Sequence, residues 1–264
     1  MVIMSAEDTA ESSAPPDSRA NGQGKSLNIT VFCDLDGPLV DVSRRYYKTY
    51  QLAIAETQTH AQGRGHPLFL TPLSESQFWQ MKQERIPDAD IAFCSGLRHE
   101  QIDRFISNVH DIVNQPILLQ EDRLQPGVAQ SLAQLKQHGA CLSVVTLRFQ
   151  AQAVQLLQQF HVSHYFDRIS GAPDWFSAYQ NYTEGKQAIL ADLIRQIQPT
   201  RDHPCWIIGD TEADVLAGQA LGLSTVALTC GIRSYDYLKR LHPTTVQRNL
   251  QTATQYLLTH AVPA

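Results

Sequence analysis

Several features that would assign a chain to other classes are missing from this sequence. None of its 264 residues lie in an apolar stretch of the ~18 residues that a membrane span needs. The formal net charge is −5, so there is no basic excess of the kind that binds nucleic acid or an anionic membrane. We therefore expect neither partner. A small anionic substrate stays compatible, because a local site can be positive in an acidic protein.

Paired cysteines are also missing, since the five cysteines are scattered without a CxxC motif. We interpret them as buried small hydrophobic residues of a cytoplasmic protein, where thiols stay reduced. A catalytic or metal-binding cysteine is the alternative. Residues 1–27 have few bulky apolar side chains and many Ala, Ser, Pro and Gly. They are predicted to be a disordered tail, and they resemble neither a secretory signal nor a transit peptide.

The rest of the chain alternates between strand and helix patterns. Short β-branched, apolar segments predict strands at NITVFCD, CLSVVT, YFDRISG, CWIIGD and STVALT. Helical periodicity predicts helices at VAQSLAQLKQHG, FQAQAVQLLQQFH, TEGKQAILADLIRQI (with Thr183 as N-cap), EADVLAGQALG and TTVQRNLQTATQYLL. Strands separated by helices of this length indicate βαβ units. The fold class is therefore α/β, with a parallel sheet flanked by helices.

One long segment interrupts this alternation just after the first strand. From about residue 43 to 120 the patterns are helical, with a Gly/Pro-rich connection in the middle. We interpret residues 45–121 as an inserted all-helical cap domain, with residues 28–44 and 122–264 as the core. Arg44, Arg45, Tyr46, Tyr47 and Arg98 are candidates to face the site from this segment. We favour the interpretation that the tyrosines pack inside the cap and the arginines are solvated.

Polar residues follow the predicted strands at one end. Asp34 and Asp36 come after the first strand, Thr146 ends another, and Asp210 ends a third, with Asp214 one helical turn later. Each residue alone is typical of turns, caps or strands. Because open parallel sheets bind ligands at the carboxyl ends of their strands, we expect these side chains to share one edge.

The residue types at that edge suit phosphoryl transfer. Asp34, Asp210 and Asp214 offer the oxygen ligands that Mg²⁺ prefers, and a cation would relieve the repulsion between the carboxylates. Lys186 and Thr146 can hold phosphate oxygens. An Asp34 oxygen can attack phosphorus and form an aspartyl-phosphate.

Asp36 is the candidate proton donor to the leaving group, and later the acceptor of a proton from the attacking water. Residues i and i+2 of a regular strand point the same way, so Asp34 and Asp36 can address one reacting centre.

These motifs resemble those of the haloacid dehalogenase-like hydrolase superfamily. DLDGPLVD is similar to its first motif, SVVT to its second, Lys186 to its third, and GDTEAD to its fourth. VLAGQALGLSTVALTCG resembles the phosphoglycolate-phosphatase-like branch. The resemblance implies a Rossmann-like core with a helical cap between motifs one and two. It also implies Asp34 as nucleophile and Asp36 as acid/base. The implied Mg²⁺ ligands are Asp34, the backbone carbonyl of Asp36, Asp210 and, directly or in support, Asp214, with phosphate on Thr146 and Lys186.

The resemblance and its departures leave three functions open. The leading hypothesis is a magnesium-dependent phosphatase for a small phosphorylated metabolite, with phosphoglycolate as first guess. Asp36 favours this over a dehalogenase, because halide leaves without a proton. The alternatives are a sugar-phosphate mutase, or a weakly active or non-catalytic relative that binds a ligand or a partner. Pro38 and Leu147 favour the last, since they replace the usual Thr or Val and the common Asn. The sequence indicates no oligomeric state.

Overall fold

The centre of the molecule is a six-stranded sheet in which every neighbouring pair of strands is parallel. The computed structural model describes residues 28–174, 182–199 and 203–260. The sheet strands are β1 (Thr30–Cys33), β4 (Cys141–Phe149), β5 (Arg168–Ala172), β6 (Cys205–Gly209), β7 (Ser224–Leu228) and β8 (Thr245–Gln247). Their order is β5-β4-β1-β6-β7-β8. The predicted α/β class with a Rossmann-like parallel sheet is confirmed.

A helical segment lies between β1 and β4. Its helices are α1 (Ser43–Gly63), α2 (Glu75–Gln83), α3 (Asp88–Cys94), α4 (Glu100–Ile112) and α5 (Pro116–Leu119). It has its own apolar cluster, with Tyr50, Phe78 and Phe105 at the centre. The segment enters through β2 (Val40–Asp41) and leaves through β3 (Arg123–Leu124), which pair with each other antiparallel. Its division into a cap of residues 45–121 stays a proposal.

Helices cover both faces of the sheet. They are α6 (Val128–Gln137), α7 (Gln150–Gln159), α8 (Thr183–Ile197), α9 (Glu212–Ala220), α10 (Tyr235–Lys239) and α11 (Leu250–His260). Alternate residues of β1 point to opposite faces. Val31 and Cys33 pack among α6, α7 and α11, whereas Phe32 packs against Leu190 and Leu193 of α8. A strand buried on both faces is mostly apolar, which explains Val31, Phe32 and Cys33.

Three predicted boundaries were wrong. The last predicted helix begins only at Leu250, because Thr245–Gln247 pairs with β7 as a sheet-edge strand. β4 runs on to Phe149 instead of ending at Thr146. The N-cap of α8 is Tyr182, and Thr183 is the first residue inside the helix.

The prediction of buried cysteines holds only for Cys33. Cys94 and Cys141 are exposed, and Cys205 and Cys230 are half-buried; all five are free thiols. Cys141 is the exposed first residue of β4, an internal strand of the sheet. In the described part of the chain no helix combines the length and apolar character that crossing a membrane requires. The predicted tail, residues 1–27, lies outside the described residues.

Candidate active site

A cavity of about 180 Å³ lies where the carboxyl ends of β1, β4 and β6 meet the helical segment. Five of the six predicted site residues line it: Asp34, Asp36, Thr146, Lys186 and Asp210. The sixth, Asp214, lies in the first turn of α9 and is almost fully buried. The structure therefore brings together residues that the sequence separates by up to 180 positions (from 34 to 214).

We call one cluster of buried charges the acidic corner. It consists of the carboxylates of Asp34, Asp210 and Asp214 and the ammonium of Lys186. One carboxylate oxygen of each Asp lies within 4.8 Å of the others. The ammonium of Lys186 lies 2.7 Å from Asp34 Oδ1 and 2.8 Å from Asp214 Oδ1, and it donates to the carbonyl of Val145 at 3.0 Å. Lys186 thus pairs with two of the three buried acids, Asp34 and Asp214.

The excess of negative charge in the acidic corner changes the pKa values of its carboxylates. Burial, followed by the charge of Asp214, raises the pKa of Asp34 to about 7, although Lys186 acts in the opposite direction. Burial and the charges of Asp34 and Asp214 also raise the pKa of Asp210 well above its usual range. Carboxylates with raised pKa values in a cavity indicate a site that gains from an added positive charge.

The backbone is shaped around two of these carboxylates. A Cβ on Gly231 or Gly37 would lie 2.0 Å or 2.2 Å from carboxylate atoms of Asp210, and one on Gly209 would lie 2.1 Å from Asp214. Gly37 also has φ +98°, which favours glycine. The amide of Ile232 donates to Asp210 Oδ2 at 2.6 Å. Asp210 is therefore held between two backbone segments with no room to turn.

The acidic corner fits a hard divalent cation. Asp210 Oδ1 is buried and has no hydrogen-bond partner among the residues that the structure describes. A buried carboxylate oxygen without a partner is costly unless a ligand satisfies it. Its neighbours are also carboxylate oxygens, which are donors that Mg²⁺ prefers. The donor set thus agrees with a site for a hard divalent cation.

Thr146 lies beside this corner, at the point where β4 passes the cavity. It is buried, and its Oγ1 accepts a hydrogen bond of 3.1 Å from the amide of Arg148. Its hydroxyl hydrogen can still be donated to a ligand oxygen. Its role in binding phosphate stays a prediction.

Asp36 belongs to a different arrangement, which we call the charged ring: Asp36, Arg45, Asp122 and Arg148. Arg148 Nη2 donates to Asp36 Oδ1 at 2.7 Å and to Asp122 Oδ2 at 2.6 Å. Arg45 donates from Nη2 to Asp36 Oδ2 at 3.0 Å and from Nε to Asp122 Oδ1 at 2.9 Å. Each arginine thus bonds both carboxylates.

The ring keeps Asp36 ionised. Burial acts to raise its pKa, but Arg148 and then Arg45 outweigh burial and lower the pKa of Asp36 below its usual value. The two acids that the sequence places one residue apart are therefore in opposite electrostatic environments.

The ring also corrects one sequence-based interpretation. Arg45 is buried rather than solvated, whereas Arg44 and Arg98 are exposed. Tyr47 packs inside the helical segment against Tyr50 and Phe78, as expected. Tyr46 lines the cavity instead.

A second contact joins the helical segment to the core above the cavity. Glu212 pairs with Arg233 at 2.8 Å and with Arg85, from the turn after α2. Arg233 also donates to the carbonyl of Lys82 at 2.8 Å. The amide of Ser234 donates to the carbonyl of Gln83 at 3.1 Å. The turn between α2 and α3 therefore forms the roof of the cavity.

Sequence reasoning missed Arg148 and Asp122. Arg148 had a usable signal, since it stands two residues after Thr146 on an extended strand and so points to the same side. Asp122 had none, because its partners are 77 and 26 positions away in the chain.

A parallel α/β sheet with buried acids at its carboxyl edge is an arrangement that suits phosphoryl-transfer chemistry. The sequence model of one family, described as "Haloacid dehalogenase-like hydrolase", matches residues 31–228. The chain belongs to this family.

Two curated relatives and one solved structure illustrate the likeness. "Probable phosphatase IndB" of Dickeya dadantii is 26% identical over 221 residues, which cover 81% of this chain and 86% of the relative. "Pyrophosphatase PpaX" of Halalkalibacterium halodurans is 22% identical over 223 residues, covering 84% and 93%. The structure of a predicted phosphatase from Clostridium acetobutylicum has a TM-score of 0.64 at 20% identity, covering 89% and 100%. The last likeness concerns the fold alone.

Proposed function

We propose that this member of the family is a magnesium-dependent phosphatase that hydrolyses a small phosphorylated metabolite through an aspartyl-phosphate. The chain is a phosphoric monoester hydrolase of the haloacid dehalogenase-like type; the metal, the substrate and the residue roles are the proposal. The observation that carries it is the acidic corner, where three buried carboxylates lie close together, one lysine pairs with two of them, and Asp210 Oδ1 has no hydrogen-bond partner among the described residues.

Asp34 is the proposed nucleophile. One of its oxygens forms a bond to phosphorus while the bond between phosphorus and the ester oxygen breaks. Lys186 and Thr146 hold the remaining phosphate oxygens, as a positive charge and a hydroxyl donor. When bound, Mg²⁺ would be held by Asp34, the backbone carbonyl of Asp36, Asp210 and Asp214, and would neutralise part of the phosphoryl charge.

Asp36 is the proposed acid/base. It gives a proton to the departing alkoxide and takes one from the water that attacks phosphorus and releases Asp34. The ionised state of Asp36 in the charged ring suits the second of these steps directly. The first step requires that Asp36 take up a proton from solvent beforehand, and this needs weaker contacts to the two arginines once substrate fills the cavity.

The size and charge of the cavity support a small anionic substrate, with phosphoglycolate as first choice. The cavity of about 180 Å³ is small, which agrees with a phosphorylated metabolite of low molecular mass. Lys82 and Arg85 line its roof, where they are paired with Asp88 and Glu212. Such cations suit a carboxylate opposite the phosphate. We also propose that residues 45–121 act as a cap over the core, in the cytoplasm.

One observation favours pyrophosphate as a second candidate. Because the two arginines keep Asp36 ionised, the site suits a leaving group that needs no proton, and a phosphate leaves far more readily than an alkoxide. The similarity to a protein described as a pyrophosphatase agrees with this candidate.

A panel of phosphorylated metabolites, assayed for inorganic phosphate with and without Mg²⁺, tests the proposal. We expect release from p-nitrophenyl phosphate and from phosphoglycolate or pyrophosphate, and we expect chelation to abolish it. Transfer of phosphate between sugars without its release would support a mutase instead. Binding of a phosphorylated compound without turnover would support the non-catalytic alternative.

A further inference from the structure

The charged ring gives one aspartate a role that no motif assigns. Asp36 and Arg148 line the cavity. Asp122 does not line it, and its side chain is 0% exposed. Asp122 therefore cannot touch a substrate, and any effect it has on the reaction must act through the two arginines.

The charges of the ring are balanced, with two carboxylates and two guanidinium groups. Arg148 divides its donors between Asp36 and Asp122, and so does Arg45. Without the charge of Asp122, both arginines would keep one carboxylate between them, that of Asp36. Their freed N–H groups would draw this carboxylate away from the cavity, because a buried donor without a partner is costly. The position of the Asp36 carboxylate thus depends on how many arginine N–H groups Asp122 binds.

The ring also spans both chain connections of the helical segment. Asp36 follows β1, and Arg45 lies in the first turn of α1 on the outgoing side. Asp122 directly precedes β3 on the return side, and Arg148 lies on β4 of the sheet. A movement of the helical segment about β2 and β3 must therefore alter the bonds to Asp36.

We propose that Asp122 is a positioning residue: through Arg45 and Arg148 it holds the Asp36 carboxylate on the leaving-group side of the cavity. This inference rests on the proposed function, in which Asp36 exchanges a proton with the leaving group. It assigns Asp122 an effect on leaving groups that need a proton and little effect on those that do not.

Two aryl phosphates of similar size provide the test. Phenyl phosphate releases a weakly acidic phenol, whereas p-nitrophenyl phosphate releases a phenol acidic enough to leave without help. We expect Asp122→Asn to lower kcat/KM for phenyl phosphate about tenfold or more, and for p-nitrophenyl phosphate less than about threefold. Since kcat/KM ends at the first irreversible step, hydrolysis of the aspartyl-phosphate does not contribute. A loss of folded protein would lower both values equally.

Two further variants complete the test. Glu121→Gln removes the neighbouring acid, which pairs with Lys48 outside the ring, and should leave the ratio between the substrates unchanged. Arg148→Lys keeps the charge but loses the forked contact with both aspartates, and should reproduce the selective loss. If Asp122→Asn does not fold, Arg148→Lys decides. An unchanged substrate ratio in the variants that fold overturns the proposal.

The failure of this proposal differs from that of the proposed function. Asp36→Asn should show the selective loss whether or not Asp122 positions it. If Asp36→Asn is selective and the ring variants are not, only the positioning role is wrong. If Asp34→Asn still hydrolyses both substrates, the proposed function itself is wrong.

Discussion

The acidic corner and the charged ring lie on the same cavity, but they differ in charge balance and in the direction in which carboxylate pKa values shift. The corner has three carboxylates around one lysine, and burial raises the pKa of Asp34 and of Asp210. The ring has two carboxylates and two arginines, and the pKa of Asp36 is lowered. An unbalanced buried cluster needs a ligand to complete it, whereas a balanced one is complete and holds its members in place.

The largest effect expected at the acidic corner is the loss of its nucleophile. Asp34→Asn should lower kcat about 10⁴-fold or more, because no other group can form the phosphoryl-enzyme. Steady-state release of phosphate measures it. Asp103→Asn, at an exposed position of α4, is the matched control and should keep full activity. Equal rates for Asp34→Asn and the wild type would show that the corner does not perform the chemistry.

A backbone change next to the corner should weaken the metal site without removing a ligand. In Gly231→Ala the added Cβ would meet the Asp210 carboxylate at 2.0 Å, so Asp210 must move. We expect Mg²⁺ affinity to fall about 10–100-fold, as for other groups that orient metal ligands. Titration calorimetry measures it.

Gly63→Ala is the control for that substitution, because a Cβ there meets nothing within 4 Å. The same loss of affinity in both variants would mean that Asp210 is not held by the close backbone.

The pH dependence of metal binding should reflect the raised pKa values of the acidic corner and not the lowered pKa of Asp36 in the charged ring. The pKa of Asp34 is about 7 in the folded, metal-free protein, against an ordinary value of 3.8. Between these values the folded state keeps a proton that the unfolded chain has lost, so this group's contribution to stability falls as the pH rises. A cation must displace that proton.

Because the pKa of Asp210 is also raised, we expect Mg²⁺ binding to release at least one proton near pH 6 and fewer at higher pH. We also expect Mg²⁺ to raise Tm more at pH 8 than at pH 5.5. Calorimetry in buffers of different ionisation enthalpy counts the protons. Release that does not depend on pH would contradict the raised pKa.

The smallest effect is expected from an ion pair outside both clusters. Lys136 contacts Asp167 at 2.9 Å, with the two side chains 33% and 49% exposed. Lys136→Ala should change the free energy of unfolding by less than about 1 kcal/mol, because solvent screens such pairs. Urea unfolding measures it. A larger loss of unfolding free energy would show that an exposed ion pair can matter as much as the buried pairs of the two clusters.

The sequence predicted the sheet edge well because its signals are local. β1 and β6 are short, mostly apolar runs, and Asp34 and Asp210 directly follow them in the sequence. β8 was missed because this three-residue edge strand is only half-buried and only Arg248 and Asn249 separate it from the last helix.

The charged ring was missed for a different reason. Buried arginines are rare, so solvation was the better expectation for Arg45, and its pairing with Asp122 depends on the whole fold. Sequence spacing therefore predicted the acids of the site, but not the arginines that lower the pKa of Asp36.

The short ribbon of β2 and β3 has a consequence for how such molecules can change. Two residue pairs, Val40 with Leu124 and Asp41 with Arg123, bring the departing and returning chain side by side. A segment that starts and finishes at one spot can be shortened, lengthened or exchanged with little effect on the strands beneath it. Evolution can therefore redesign what covers the cavity while keeping the sheet below it.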